Sequence, residues 1–282
     1  MCAAAIASRY RRSASDKGKT QRTTPEDECH PRHPAGEEAQ IASRKNCGCY
    51  TQPRIRRVNL PNTLLRIRRL RRAELPTDTV ALARFLIGKV VVRELNKRRI
   101  SGRIVEVEAY PTGDPAAHHY IGPTPRNQSM FLERGHAYVY FSYGNHFMLN
   151  VSAEVPGVGG GVLIRALEPL EGVAQMQRRR NKKKLRELTS GPGRLAAALQ
   201  IDRALDGVDL CAPGPLWLGV LIEPGAARRV EAPSVTPAGA GLAPGPSVGA
   251  SVRIGISRAA HRLLRFYERG NPFVSGPLRL RS

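Results

Sequence analysis

The segment Ile104–Tyr110 places two acids and a tyrosine in an otherwise apolar run, and His118 follows soon after it. Side chains alternate between the two faces of a β-strand, so one face of this segment would carry Ile104, Glu106, Glu108 and Tyr110. A carboxylate beside an aromatic ring, with an imidazole nearby, suits a general base at the wall of an aromatic pocket. The alternative is an edge strand whose glutamates are simply solvated.

The segment Tyr138–Gly144 is a second aromatic stretch. Alternation puts Tyr138 and Tyr140 on one face, and Tyr143 falls at the tip of a predicted hairpin, where burial is hard to arrange. An aromatic side chain on a turn of a basic protein is a candidate wedge for insertion between base pairs. The alternative is a tyrosine packed over the end of the sheet.

Arg165 lies in a strand that is otherwise apolar, from Val162 to Leu167. A guanidinium is rarely buried in such a strand without a partner. Glu108 would satisfy it, and the pairing would keep that acid ionised. A purely structural salt bridge is the alternative.

The stretch Arg178–Lys184 holds six cations in seven positions and could contact phosphates, although most such runs are solvated faces. A helix predicted to start at Gly191–Arg194 would offer free backbone N–H groups to a phosphate. Arg126, in the preceding loop Thr124–Asn127, is a further candidate for a phosphate contact.

The net charge of +22 and pI near 10.8 indicate a polyanionic partner, nucleic acid before an anionic membrane surface. No apolar run reaches the roughly 18 residues of a membrane span. Residues 1–72 carry 17 Lys and Arg against 6 Asp and Glu, a net of +11, so the remaining +11 belongs to the rest. The five cysteines predict a reducing compartment, and their spacing does not favour a zinc site.

The predicted fold is a mixed α/β (α+β) single domain with a largely antiparallel curved sheet and surrounding helices. We expect residues 1–72 to be a disordered basic arm and residues 73–282 to form the domain, with a mobile Pro/Gly/Ala-rich loop at 231–250. The first residues could instead be an organelle transit peptide, or the start codon could lie further downstream. The predicted helices cover about 78–87, 168–186 and 191–201, and the predicted strands are 90–95, 100–110, 137–142, 146–151, 162–167 and 251–256.

Taken together, these motifs closely resemble the alkyladenine (3-methyladenine) DNA glycosylase family over about 200 residues, from about Leu75 to Gly276. The resemblance is carried by Glu108-Ala109-Tyr110, Ala116-Ala117-His118, Thr124-Pro125-Arg126-Asn127, Tyr138-Val139-Tyr140, Tyr143-Gly144, Asn150, Arg165 through Gly172, and Gly191-Pro192.

The resemblance implies a monofunctional, cofactor-free and metal-free enzyme that flips a damaged purine out of duplex DNA and cleaves its N-glycosidic bond with an activated water. It implies that Glu108 is the general base and that Arg165 positions the water. The implied pocket residues are Tyr110, His118, Tyr140 and Asn150, and Tyr143 is the implied intercalating side chain. The partner would be double-stranded DNA containing damaged purines, with no membrane, and the protein would be a monomer.

Two features differ from the family pattern: Asn145 follows Gly144 where a methionine is common, and Pro156–Gly161 is unusually rich in glycine. The alternative function is a non-catalytic nucleic-acid-binding protein on the same scaffold, which would explain the charge but not the acid, aromatic and arginine residues together. We expect a cytoplasmic, nucleoid-associated protein if the source is bacterial, and a nuclear or mitochondrial one if it is eukaryotic.

Overall fold

The computed structural model describes residues 65–142, 144–222 and 247–280, and every one of them belongs to one compact unit, Leu60–Ser282. A large antiparallel sheet forms its centre, and the sheet does not close into a barrel. Its strands among these residues are β1 Ile67–Arg69, β2 Val90–Leu95, β3 Arg98–Tyr110, β4 Ala137–Ser142, β5 His146–Ser152, β6 Gly161–Glu171, β7 Leu216–Leu221, β8 Val248–Ser251 and β9 Arg265–Glu268.

The longest strand, β3, organises the sheet. The strands follow the order β1-β7-β2-β3-β6-β5-β4, and β9 also pairs with β3 while β8 pairs with β9. Strand β3 pairs with β6 from Ser101 to Tyr110, and on its other edge it pairs with β2 in its first half and with β9 at Glu106 to Glu108. Residues near the end of β3 are thus enclosed from both sides, which is where the acidic segment lies.

In the described part of the chain, four α-helices accompany this sheet: α1 Thr79–Leu86, α2 Val173–Arg180, α3 Arg186–Thr189 and α4 Pro192–Leu199. Helix α1 packs on β3, whereas α4 packs on β5 and β6 and is itself covered by α2 and α3. The Asp78 carboxylate caps α1 by accepting a hydrogen bond from the Ala81 amide at 2.7 Å. Pro192 occupies the first turn of α4, as the sequence predicted.

The antiparallel hairpins follow the sequence prediction closely. The turn between β2 and β3 places Asn96 and Lys97 at φ of 50° and 59°, the left-handed conformation that tight hairpin turns require. Strands β4 and β5 pair from Ala137 with Val151 to Ser142 with His146.

The glycine-rich segment before β6 is closely packed, because a Cβ on Gly159 would lie 2.7 Å from the Cβ of His119.

The sheet includes residues before position 73, where the domain was predicted to start. Strand β1 pairs with β7, and Leu70 is buried in the main core. The few apolar residues between the arginines of this segment did not suggest a strand, yet the segment pairs with β7 and extends the sheet. The predicted arm up to residue 64 lies outside the described residues.

Two further element predictions need correction. The helix expected from Glu168 begins only at Val173, because β6 continues to Glu171, and α2 ends where Asn181 adopts a left-handed φ of 48°. The predicted loop 231–250 overlaps β8, which begins at Val248, and its residues up to 246 lie outside the described residues. Of the predicted strand 251–256, only Ser251 is in β8.

Strict alternation along Ile104–Tyr110 is also wrong at one point. The pairing of β3 with β6 shifts register between Ile104 and Glu106 and again before Val107, as in a β-bulge. Ile104 therefore joins Val107 in the main core, whereas Val105 packs in a separate small cluster with Tyr267. Both faces of β3 are buried here, so the edge-strand alternative is excluded.

Candidate active site

A cavity of about 440 Å³ opens where the ends of β3, β4, β5 and β6 meet the segment after β8. It brings together all six side chains predicted for catalysis and the base pocket. Its lining consists of Glu108, Tyr110, Ala116, His118, Met130, Tyr138, Tyr140, Ser142, Met148, Asn150, Leu163, Arg165, Pro192, Ile254, Gly255 and Ile256.

The Glu108 carboxylate lies at the buried end of this cavity and is held by three different elements. Its Oε2 accepts a hydrogen bond from the Tyr110 hydroxyl at 3.0 Å and lies 3.2 Å from an Arg165 terminal nitrogen. Its Oε1 accepts a hydrogen bond from the Ile254 amide at 2.7 Å. An ionised carboxylate has about four acceptor positions, so these contacts leave it capacity for a further donor.

Arg165 is the counter-charge of this acid, as the sequence predicted, but it has a second carboxylate partner. Its Nε donates to Glu106 Oε1 at 2.9 Å. Burial opposes the charged guanidinium, yet the two carboxylates outweigh it and raise the pKa of Arg165. Arg165 thus joins Glu106 and Glu108, two residues apart on β3.

The other side of the cavity is aromatic. Tyr138 and Tyr140 are stacked with their centroids 5.3 Å apart, which confirms that they share one face of β4. The His118 ring meets Tyr140 edge-on at 4.5 Å, and its Nδ1 lies 2.9 Å from the Tyr138 hydroxyl oxygen. Burial, with the nearby charge of Arg126, lowers the pKa of His118, which favours a neutral imidazole.

Tyr110 links the acidic and aromatic sides, because its ring lines the cavity while its hydroxyl reaches Glu108. Burial and the neighbouring Glu108 charge raise the pKa of Tyr110. The guanidinium of Arg253 lies 4.6 Å from the centre of the Tyr110 ring. Arg253 is in turn held by Asp114, with both side chains fully buried.

Two asparagine side chains form hydrogen bonds to the backbone around the cavity. Asn150 is 5% exposed, faces the cavity from β5 and donates its side-chain amide to the Tyr138 carbonyl at 3.2 Å. Asn127, which the sequence did not suggest as a wall residue, donates to the His118 carbonyl at 2.9 Å. Its side-chain oxygen also accepts from the Thr124 amide, so the loop that carries His118 is pinned.

The predicted DNA-facing residues lie at the rim or outside the described chain. Arg126 lies with its guanidinium 5.9 Å from the Tyr140 ring centre. Gly191 is the N-cap of α4, whose first residue lines the cavity, and Arg194 donates to the Ser190 carbonyl at 3.3 Å. Tyr143 lies outside the described residues, so its predicted wedge role stays a prediction.

The residues that sequence reasoning missed are mostly supporting groups: Glu106, Tyr138, Asp114, Arg253, Arg265 and the Ile254 amide. Arg253 and Arg265 each sit among apolar residues, the same signal that singled out Arg165. That signal could have identified them as buried and paired. Which acids they pair with depends on contacts across more than a hundred residues.

Across the described ranges, no group of three or more His, Cys, Asp or Glu side chains is arranged to hold a metal ion. Within the same part of the chain, every helix is too short or too polar to cross a membrane.

The chain matches the family model for methylpurine-DNA glycosylase over residues 73–272. A Mesorhizobium japonicum protein provisionally named 3-methyladenine DNA glycosylase is 59% identical over 206 residues, covering 73% of this chain and 89% of its own length. A Paraburkholderia phytofirmans protein with the same provisional name is 49% identical over 211 residues, covering 75% and 90%. A third such protein, from Chlorobaculum tepidum, is 41% identical over 203 residues, covering 70% and 86%.

Proposed function

This chain belongs to the methylpurine-DNA glycosylase family, and we propose that it flips alkylated or deaminated purines out of duplex DNA and hydrolyses their N-glycosidic bond. The attacking nucleophile is a water activated by Glu108, and the product is an abasic site. The single observation that carries this proposal is the pairing of Glu108 with Arg165 at the buried end of an aromatic cavity.

The water oxygen forms a bond to the sugar C1′, the water proton passes to the Glu108 carboxylate, and the C1′–N bond breaks with its electron pair going to the base. A cationic alkylated purine then leaves as a neutral base, whereas neutral hypoxanthine leaves as an anion that takes a proton from solvent. Positive charge develops on the sugar in such a transition state, and an ionised carboxylate stabilises it. No amine is needed as a covalent nucleophile, so the proposal includes no strand cleavage.

The aromatic side is proposed to select the base. N-alkylated purines such as 3-methyladenine are cationic and good leaving groups, and a cation is attracted to the face of an aromatic ring. Tyr110, Tyr140 and His118 would enclose such a base from three sides. Asn150 projects into the same space and is proposed to crowd the exocyclic amine of guanine.

Access to Glu108 is part of the proposal, because this side chain has no exposed surface. The Tyr110 hydroxyl covers Oε2 from the cavity side. A purine that stacks on the Tyr110 ring would shift this hydroxyl and admit the water together with the substrate.

The DNA contacts are proposed from charge and position. Flipping a base out of the duplex costs of order a few kcal/mol, and this cost is lower for alkylated bases because they pair weakly. Tyr143 would occupy the space that the base leaves, while Arg126 and the start of α4 would contact the phosphates at the rim.

The test is a single-turnover assay on duplexes that carry one hypoxanthine or one 3-methyladenine analogue, with alkali to reveal abasic sites. Glu108→Gln should slow excision by about 10²–10⁴-fold, the usual contribution of a general base, while binding of the lesion duplex persists. Glu94→Gln makes the same charge change at an exposed position of β2 and should leave the rate unchanged.

Two outcomes would contradict the proposal. If Glu108→Gln excises as fast as the native chain, Glu108 is not the base. If the native chain releases no purine from any alkylated or deaminated duplex yet binds DNA, the protein is a non-catalytic nucleic-acid-binding member of the family.

A further inference from the structure

Four buried charged side chains meet behind the cavity. Glu106 and Glu108 come from β3, Arg165 from β6 and Arg265 from β9. Both acids and Arg265 have no exposed surface, and Arg165 is 7% exposed. Their formal charges sum to zero, as expected because an unbalanced charge at this depth would be very costly.

Glu106 is the centre of this group. Its Oε1 accepts from the Nε of Arg165 at 2.9 Å and from the Nε of Arg265 at 2.7 Å. Its Oε2 accepts from the Ser275 amide at 2.6 Å. Burial would raise the pKa of Glu106, but Arg165 and Arg265 outweigh it and the pKa lies below its usual range, so the side chain is a carboxylate.

Arg265 is held as firmly from its other side. One terminal nitrogen donates to the Ser251 hydroxyl at 2.7 Å and to the Leu280 carbonyl at 2.6 Å. The other donates to the Ser275 carbonyl at 3.0 Å. Arg265 therefore anchors Glu106 to three separate parts of the chain.

The geometry assigns Arg165 a fixed direction. A guanidinium is planar, so a hydrogen bond at Nε sets the plane in which the terminal nitrogens lie. With Nε bound to Glu106, one terminal nitrogen reaches Glu108 Oε2 at 3.2 Å. If Arg265 did not also compensate Glu106, two carboxylates would compete for Arg165.

We propose that Glu106 and Arg265 are a positioning pair, which orients Arg165 toward Glu108. This inference rests on the proposed function, because it assumes that Glu108 is the base. Neither residue of the pair lines the cavity, so they act through Arg165 and do not touch the substrate.

Glu106→Gln should lower the single-turnover rate on hypoxanthine duplex by up to about 100-fold per folded molecule, because a small misplacement of Arg165 is costly. Binding of the lesion duplex should stay near the native value, because neither residue of the pair lines the cavity. A purely structural residue would lower the folded fraction and leave the rate per folded molecule unchanged.

The double variant Glu106→Gln/Arg265→Gln restores the charge balance but not the orientation. Its rate per folded molecule should therefore stay low. Glu168→Gln is the matched control, since Glu168 pairs with Arg103 across the same two strands, β3 and β6, outside the cavity. It should leave the rate and the binding unchanged.

All rates are compared per folded molecule, from thermal unfolding by circular dichroism and binding of the lesion duplex. If Glu106→Gln does not fold, Arg265→Lys carries the test, because it keeps every charge and removes the Nε donor to Glu106. It should lower the rate per folded molecule.

The positioning pair is overturned if Glu106→Gln, or Arg265→Lys in its place, keeps the native rate per folded molecule. It is also overturned if the double variant, with its charges balanced, regains the native rate. These results differ from failure of the proposed function, in which Glu108→Gln would itself keep the native rate.

Discussion

The two sides of the cavity are built by different physics. On the acidic side, Glu108 and Arg165 are almost fully buried, and each is held by directional contacts from other strands or segments. On the aromatic side, Tyr140 and His118 lie nearer the opening and contact each other ring to ring. One side is fixed by charge and the other by shape.

This difference teaches which changes each side tolerates. A buried charge that loses its partner leaves an uncompensated ion, so substitutions on the acidic side should have abrupt effects. Ring contacts are worth about 0.5–1.5 kcal/mol each, so substitutions on the aromatic side should have graded effects on substrate choice.

The largest effect should come from breaking the acidic side with Arg165→Met. Removing one partner of a buried ionic group costs about 3–5 kcal/mol, so the free energy of unfolding should fall by that amount in urea titrations. Arg71→Met is the control, because Arg71 is 81% exposed and pairs with Glu74 only at 3.4 Å. Equal losses in the two variants would show that the buried network adds no stability.

A smaller effect should follow from changing the aromatic side with Tyr140→Leu. The preference for a cationic lesion over neutral hypoxanthine should fall roughly tenfold, since a desolvated cation–π contact is worth about 1–2 kcal/mol. Tyr140→Phe keeps the ring and should keep the preference, measured as the ratio of single-turnover rates. A leucine variant that keeps the native ratio would mean that Tyr140 does not select cationic bases.

The smallest effect should come from His118→Gln. Its pKa is lowered by burial and by Arg126, so His118 is neutral at neutral pH. We expect the single-turnover rate at neutral pH to fall less than about tenfold, the value of one hydrogen bond. A loss as large as that of Glu108→Gln would instead make His118 the base.

Much of the fold was predictable because its hairpins are local. Residue type and alternation predicted β2, β4 and β5 to within a residue, and the Asp78 cap and the Pro192 start set the ends of two helices. Strand β1 was not predictable in this way, since its three residues are arginine-rich and gain their partners only from β7.

The residues that line the site could be predicted from the sequence, but the buried groups that hold them in place were harder to predict. Types and spacing identified the acid, the arginine and the aromatic residues, and all of them line one cavity. Glu106 looked like a second solvated acid, because its main partner lies 159 residues away on β9.

The sequence by itself determined that an acid, an aromatic ring and an arginine would each need a partner within a largely apolar sheet, since these residue types are costly to bury alone. The tertiary structure decided how they pair. The bulge in β3 sets which residues face β6 and β9, and so Arg165 binds Glu106 through Nε and Glu108 through a terminal nitrogen. Register across a sheet depends on partners distant in the chain, and alternation within one strand cannot supply it.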